Sequence, residues 1–134
     1  MLLLIIPGIE NMYQIIHGWL QFIVREASIH PLIQILSLYE AEQIKDIIEP
    51  KHLMVIMLDE IKYKRPGATL KSSIWEIVGW IHKLYPDESQ EFRLETQDVM
   101  MNSLIEQLEA DKFEIKHICG LFRGFTLGLH DCVL

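Results

Sequence analysis

Residues 68–86, ATLKSSIWEIVGWIHKLYP, constrain the fold more than any other stretch of the chain. Wound as a helix, they place Leu70, Ile74, Ile77, Val78, Ile81, Leu84 and Tyr85 on one broad face, with Trp75 and Trp80 on its two flanks. Only a narrow strip, with Ser72, Glu76, Gly79 and Lys83, is left to face water. A helix on the surface of a simple globule needs an apolar stripe of only about 100°. A helix this apolar touches neighbours on three sides. Such is the situation of an inner helix in a stack of helix pairs, which meets its own partner and the pairs before and after it. Ile74, Trp75, Ile77, Trp80 and Ile81 are therefore expected in the packing core, each tryptophan serving a different neighbour.

Helical periodicity extends over nearly the whole chain. Ile9 to Val24 puts Ile9, Met12, Tyr13, Ile16, Leu20 and Ile23 on one face. Pro31 suits the first turn of a second helix with Leu32, Ile35, Leu36 and Tyr39 inward. EAEQIKDII continues that helix or forms a short separate turn, ended by Pro50. Pro50 opens a third helix carrying Met54, Met57, Leu58 and Ile61, and KYKRPGA reads as a loop before a fourth helix from Ala68 or Thr69. Pro86 and DESQE mark a further loop. Thr96 is placed to cap a helix carrying Val99, Met100, Ile105 and Leu108, with Asp98 near its positive end. No stretch alternates as a strand does. The expected fold is all-α: one segment over residues 1–134, with about five to seven helices in stacked antiparallel pairs, a HEAT-like α-solenoid segment. Residues 1–30 are its start, of undetermined form.

A last helix runs from about Phe113 to Leu129. Ile115, Ile118, Cys119, Phe122, Phe125 and Leu129 form its apolar face, which adds Phe122 and Phe125 to the expected core. Gly120, Gly124 and Gly128 line up at intervals of four on the opposite face. Each glycine inside a helix costs about 1 kcal/mol relative to alanine, so three in register imply close packing by another helix. No further helix follows in the sequence. The glycine face is therefore expected to be an open edge through which the chain self-associates, together with MLLLII. A transmembrane GxxxG dimer is disfavoured by Lys116, His117 and Arg123 within the segment.

Composition removes several functions. The chain has 12 basic and 19 acidic residues, a net charge of −7, which argues against a free-standing nucleic-acid binder. The two cysteines, Cys119 and Cys132, make no disulfide framework, so an intracellular compartment is the default. MLLLIIPG lacks a basic n-region and its apolar run stops at Pro7, too short for a signal peptide core or a membrane span. Phosphate-binding, zinc-protease, nucleophile-elbow and kinase motifs are absent, and no cofactor or metal is expected. His117 and Cys119, like His130 and Cys132, lie two residues apart and diverge on a helix, so they read as buried core groups and not as zinc ligands. Glu91, Glu95 and Asp98 read as an exposed acidic loop and helix start, and Met54, Met57 and the Met100–Met101 pair as core filler. One basic cluster, Lys62, Lys64 and Arg65 with Lys71 nearby, is either a solvated loop or a contact for DNA phosphates or an acidic partner.

The motifs WEIVGWIHKLYP and CGLFRGF, with the order of elements from LIQILSLYEAEQ through VMMNSLIEQL to EIKHICGLFRGFTLGL, carry a resemblance. Residues 31–130 resemble the N-terminal helical-repeat region of DNA-dependent protein kinase catalytic subunits, of the phosphatidylinositol-3-kinase-related kinase family. The resemblance implies a nuclear protein acting in DNA double-strand break repair by non-homologous end joining, whose curved HEAT-like arm helps enclose DNA ends and the Ku heterodimer. It implies no catalytic residue here, because the kinase domain of that family lies far beyond this region. Two rivals stand beside it: the scaffold of another large helical-repeat protein, whose partners are proteins or neighbouring repeats, and a stand-alone helical ligand-binding domain.

Overall fold

The computed structural model describes residues 26–45, 48–110 and 113–133. The amphipathic stretch Ile9–Val24 and the MLLLII segment lie outside the described residues. Among the described residues there are five helices of ten residues or more: α1 (Glu26–Leu38), α3 (Pro50–Asp59), α4 (Ala68–Leu84), α6 (Arg93–Glu109) and α7 (Ile115–Gly124). Three four-residue helices, α2 (Ala41–Ile44), α5 (Pro86–Ser89) and α8 (His130–Val133), join or end them. Among the described residues there is no strand, and the fold is all-α.

Prolines set several boundaries. Pro50 and Pro86 occupy first-turn positions, where the missing N–H is no loss and the fixed φ suits a helix. Pro86 thus starts α5 as well as stopping α4, and DESQE is helical where a loop was expected. Pro31 lies inside α1, not in its first turn. Of EAEQIKDII, Ala41–Ile44 form a separate turn, α2, whose start is held by the Gln43 side-chain carbonyl accepting from the Glu40 N–H at 2.9 Å, while Asp46 and Ile47 lie outside the described residues. Both α3 and α7 widen at their ends into π-turns, Glu60–Lys64 and Phe125–Leu129.

The core gathers around α4. Ile74, Trp75, Ile77, Val78 and Ile81 are completely buried, packed with Leu32 and Leu36 of α1 and with Leu53, Met54, Met57 and Leu58 of α3. Trp80 departs from the expectation. It is only half-buried at the edge of the core, and the Lys83 ammonium lies 5.2 Å from its ring centre.

The strip of α4 expected to face water is instead the seat of α7. Ser72 and Gly79 are buried, and Glu76 is partly covered. A Cβ added to Gly124 would stand 2.6 Å from the Trp75 carbonyl oxygen, and one added to Gly128 would stand 2.5 Å from that of Gly79. One added to Gly79 would meet the Gly124 Cα at 2.7 Å, and one added to Gly120 would overlap the Ser72 backbone. The two helices touch largely through their main chains, because the α7 side presents glycines and the α4 side presents Gly79 and the small Ser72. The glycine face is the packed face, and the expected open edge lies on the other side. Ile115 and Phe122 are exposed, and Phe125 is 39% exposed, so neither Phe122 nor Phe125 belongs to the core.

A second correction concerns α6. Thr96 does not cap it; the helix begins at Arg93 and Thr96 is buried within its first turn. The buried stripe is Thr96, Val99, Met100, Ser103 and Gln107, while Ile105 and Leu108 are exposed. Hydrogen bonds select this face: Thr96 Oγ1 lies 3.0 Å from His82 Nε2, and the Gln107 side chain both accepts from the Glu114 N–H at 2.8 Å and donates to its carboxylate at 3.2 Å. The same contacts show α6 running antiparallel to α4 and α7.

Helices α4 and α7 run in the same direction, as the succession Thr69–Lys116, Ser72–Arg123, Trp75–Gly124 and Gly79–Gly128 shows. At the end where α1 and α4 both finish, the Tyr85 hydroxyl donates to the Ala41 carbonyl at 2.9 Å and Lys45 pairs with Glu88 at 3.1 Å. The three helical stretches of this row finish at Leu38, Leu84 and Leu129. These ends recur at about 45 residues.

Candidate functional site

The structure gathers three of the four basic residues singled out in the sequence around one cleft of about 510 Å³. Lys62 and Arg65 approach from the end of α3, and Lys71 approaches from α4. Facing them across the cleft, α6 contributes Glu95, Asp98 and Glu106, with Asn102 and Ser103 between. Lys62 reaches Glu95 at 2.5 Å, with Asp59 at 3.9 Å; Arg65 lies 3.9 Å from Glu106; Lys71 lies 3.4 Å from Glu114. Lys64 stays outside the cleft, 3.4 Å from Glu60 on its own turn. The hydrogen bond to Glu95, opposed by partial burial, raises the pKa of Lys62 above the ordinary lysine value.

The cleft is thus lined by three cations and three carboxylates. A phosphate entering it has to displace a carboxylate from at least one lysine, and partly exposed pairs of this kind are each worth only about 0–1 kcal/mol. Arg65 adds a local peculiarity. It is the only non-glycine residue with positive φ among the described residues, with φ 47° and ψ 64°. It follows the π-turn directly, so the guanidinium is aimed by backbone that an L-residue adopts at a cost of about 1–2 kcal/mol.

The acidic wall of α6 was not recognised as a unit in the sequence. Its signal is the spacing of Glu95, Asp98, Asn102 and Glu106, three and four residues apart, which puts them on one helical face. Glu91, grouped in the sequence with Glu95 and Asp98, belongs elsewhere and pairs with Lys51 at 2.8 Å.

The two His–Cys pairs read from the sequence, His117 with Cys119 and His130 with Cys132, do not come together at one site. His117 is buried and accepts the indole N–H of Trp75 at 3.2 Å, whereas Cys119 is exposed. Cys132 is buried, with its Sγ 3.6 Å from His82 Nε2, and His130 Nδ1 lies 2.8 Å from the Phe125 carbonyl. No group of three or more candidate metal donors occurs among the described residues.

A second concavity, of about 280 Å³, lies between α6 and α7. Met100, Leu104, Ile118, Leu121, Phe122 and Phe125 line it, with no polar surface. Around it Met101, Ile105, Leu108, Phe113 and Ile115 are also exposed. Exposed apolar side chains therefore concentrate on α6 and α7 and on Phe113 just before α7. No helix among the described residues is long and apolar enough to cross a membrane.

No protein-family model, curated protein or solved structure matches the chain.

Proposed function

We propose that this chain is a structural segment of a helical-repeat scaffold, and that the apolar face of α6 and α7 receives a further helix pair of the same kind. The observation that carries this reading is the row α1, α4, α7, whose ends recur at about 45 residues and whose outermost member is apolar on its uncovered side. In this reading α1 with α3 and α4 with α6 are successive helix pairs, each giving one helix to the row, as in a solenoid. The resemblance of residues 31–130 to the arm of DNA-dependent protein kinase catalytic subunits supports the same reading. It extends it to a nuclear role in end joining beside Ku and DNA ends, with the catalysis located elsewhere.

Light scattering on the full chain tests the scaffold reading. Without its stacking partner the chain self-associates, and Phe122→Glu with Phe125→Glu gives a monomer with unchanged helical circular dichroism. A wild type that stays monodisperse and monomeric at high concentration overturns it in favour of a stand-alone domain. The cleft favours such a domain, because 510 Å³ is large enough for a small polar ligand. Direct DNA contact has its own test. The cations are paired internally and the net charge is −7, so duplex binding by the chain alone is weak and salt-sensitive. Submicromolar affinity at physiological salt that survives Lys62→Glu, Lys64→Glu and Arg65→Glu together rules this out.

A further inference from the structure

His117 is held inside the seam between α4 and α7, with 1% of its surface exposed. Its Nε2 accepts from Trp75 Nε1–H, which places the proton of the neutral ring on Nδ1. Nδ1 is buried without a hydrogen-bond partner. The carboxylate oxygen of Glu114 stands 3.7 Å away, beyond hydrogen-bond reach. That oxygen is already occupied, by the Lys71 ammonium at 3.4 Å and the Gln107 amide at 3.2 Å. The charged groups around the ring are Lys71 from α4, Glu114 from the turn before α7, and Glu106 from α6.

We propose that the α4–α7 seam is an acid-sensitive joint: a proton taken up by His117 Nε2 sets its N–H against that of Trp75 and opens the seam, while the core of α1, α3 and α4 stays folded. The seam has little room to absorb the change. Gly120, Gly124 and Gly128 bring α7 and its π-turn against the α4 main chain, and the Ser72, His82 and Leu129 side chains close the space that remains, so a displaced ring meets packed atoms. Burial, and after it Lys71, holds His117 below the ordinary histidine value, with Glu114 and Glu106 pulling the other way. A histidine with a depressed native pKa binds its proton more readily once the seam is open. The histidine's contribution to seam stability is therefore complete above about pH 6.5 and is lost as pH falls from there through the depressed value. One proton is linked to opening, so the opening constant rises up to about tenfold for each unit of pH.

Amide hydrogen exchange on the full chain, corrected for intrinsic rates and run from pH 7.5 to 5, tests the joint. Amides of Leu121 to Gly124 lose protection below about pH 6.5 by up to about tenfold per unit, while those of Met54 to Leu58 in α3 keep theirs. His117→Gln retains an acceptor for Trp75 without the titration and flattens the α7 profile. Equal pH dependence in the variant and the wild type, or loss of protection uniform across the chain, overturns the proposal. Titration of the imidazole in the wild-type protein by nuclear magnetic resonance decides it independently of whether the variant folds. A pKa at or above the ordinary histidine value is the contrary result.

Discussion

The two faces of α7 carry opposite lessons about packing. One face is made of Gly120, Gly124 and Gly128 and is buried against the α4 main chain; the other carries Ile115, Ile118, Phe122 and Phe125 and is wholly or partly open. A residue-by-residue hydrophobicity argument ranks them the wrong way round. Burial follows from what a neighbour can approach, and two smooth helix faces approach more closely than two rough ones. The polar residues on the smooth side then serve as fasteners. Arg123 spans the seam to Glu76 at 3.2 Å and to the Ser72 hydroxyl at 2.5 Å, and Lys116 lies 3.5 Å from the Thr69 hydroxyl.

Substitutions at the seam and at the open face break this comparison most directly. Trp75 is fully buried and donates across the seam, so Trp75→Ala costs about 3–5 kcal/mol. Trp80→Ala, at the edge of the core, costs clearly less; equal losses by urea denaturation contradict the difference in burial. Gly124→Ala drives a methyl group into the Trp75 carbonyl and costs about 1–3 kcal/mol despite the better helix propensity of alanine. Gly124→Lys, harmless on an open edge, lowers the melting temperature further. A variant as stable as the wild type would restore the open-edge view. The far side of α4 offers a pH contrast. Burial raises the Tyr85 hydroxyl to about 12, helped by Glu88 and Glu42. Its folded value exceeds the unfolded one of about 10, so its contribution is complete below pH 10 and is lost between there and about 12. Tyr85→Phe removes that part of the alkaline slope in denaturation measured against pH. The smallest effect is Phe122→Ser. It changes monomer stability by no more than about 0.5 kcal/mol while reducing association; a loss of several kcal/mol means that the ring packs internally.

The helical class and the central role of residues 68–84 were legible because the apolar arc there is too wide for a surface helix. Pro50 as a helix start was legible too, since its chemistry is local. The face each helix turns inward was legible only where apolar residues outnumber the alternatives. On α6 they do not: Thr96, Ser103 and Gln107 point inward because His82 and Glu114 wait there, partners that are distant in sequence. On α7 periodicity gave two clear faces and no rule for choosing between them. Close packing of the glycines was deducible, but the identity of the neighbour was not. The missing clue was on α4, where Ser72, Glu76, Gly79 and Lys83 read as a solvated strip and are the complementary track. The charged cleft was half legible, its cations clustered along the chain and its carboxylates scattered along a helix that folding brings opposite.

The main-chain contact between α4 and α7 also has a mechanical meaning. Helices separated by interdigitated side chains can slide or tilt by rotamer changes. A crossing where Cα meets carbonyl has no such compliance, and displacement raises its energy steeply. Along the row α1, α4, α7, stiffness is therefore uneven: rigid at the second contact, softer at the first, where Leu32, Leu36, Ile74 and Ile77 share the load. At neutral pH, with His117 uncharged, bending or pulling the chain is expected to strain the α1–α4 contact before α4 and α7 part, since these two are joined through their main chains.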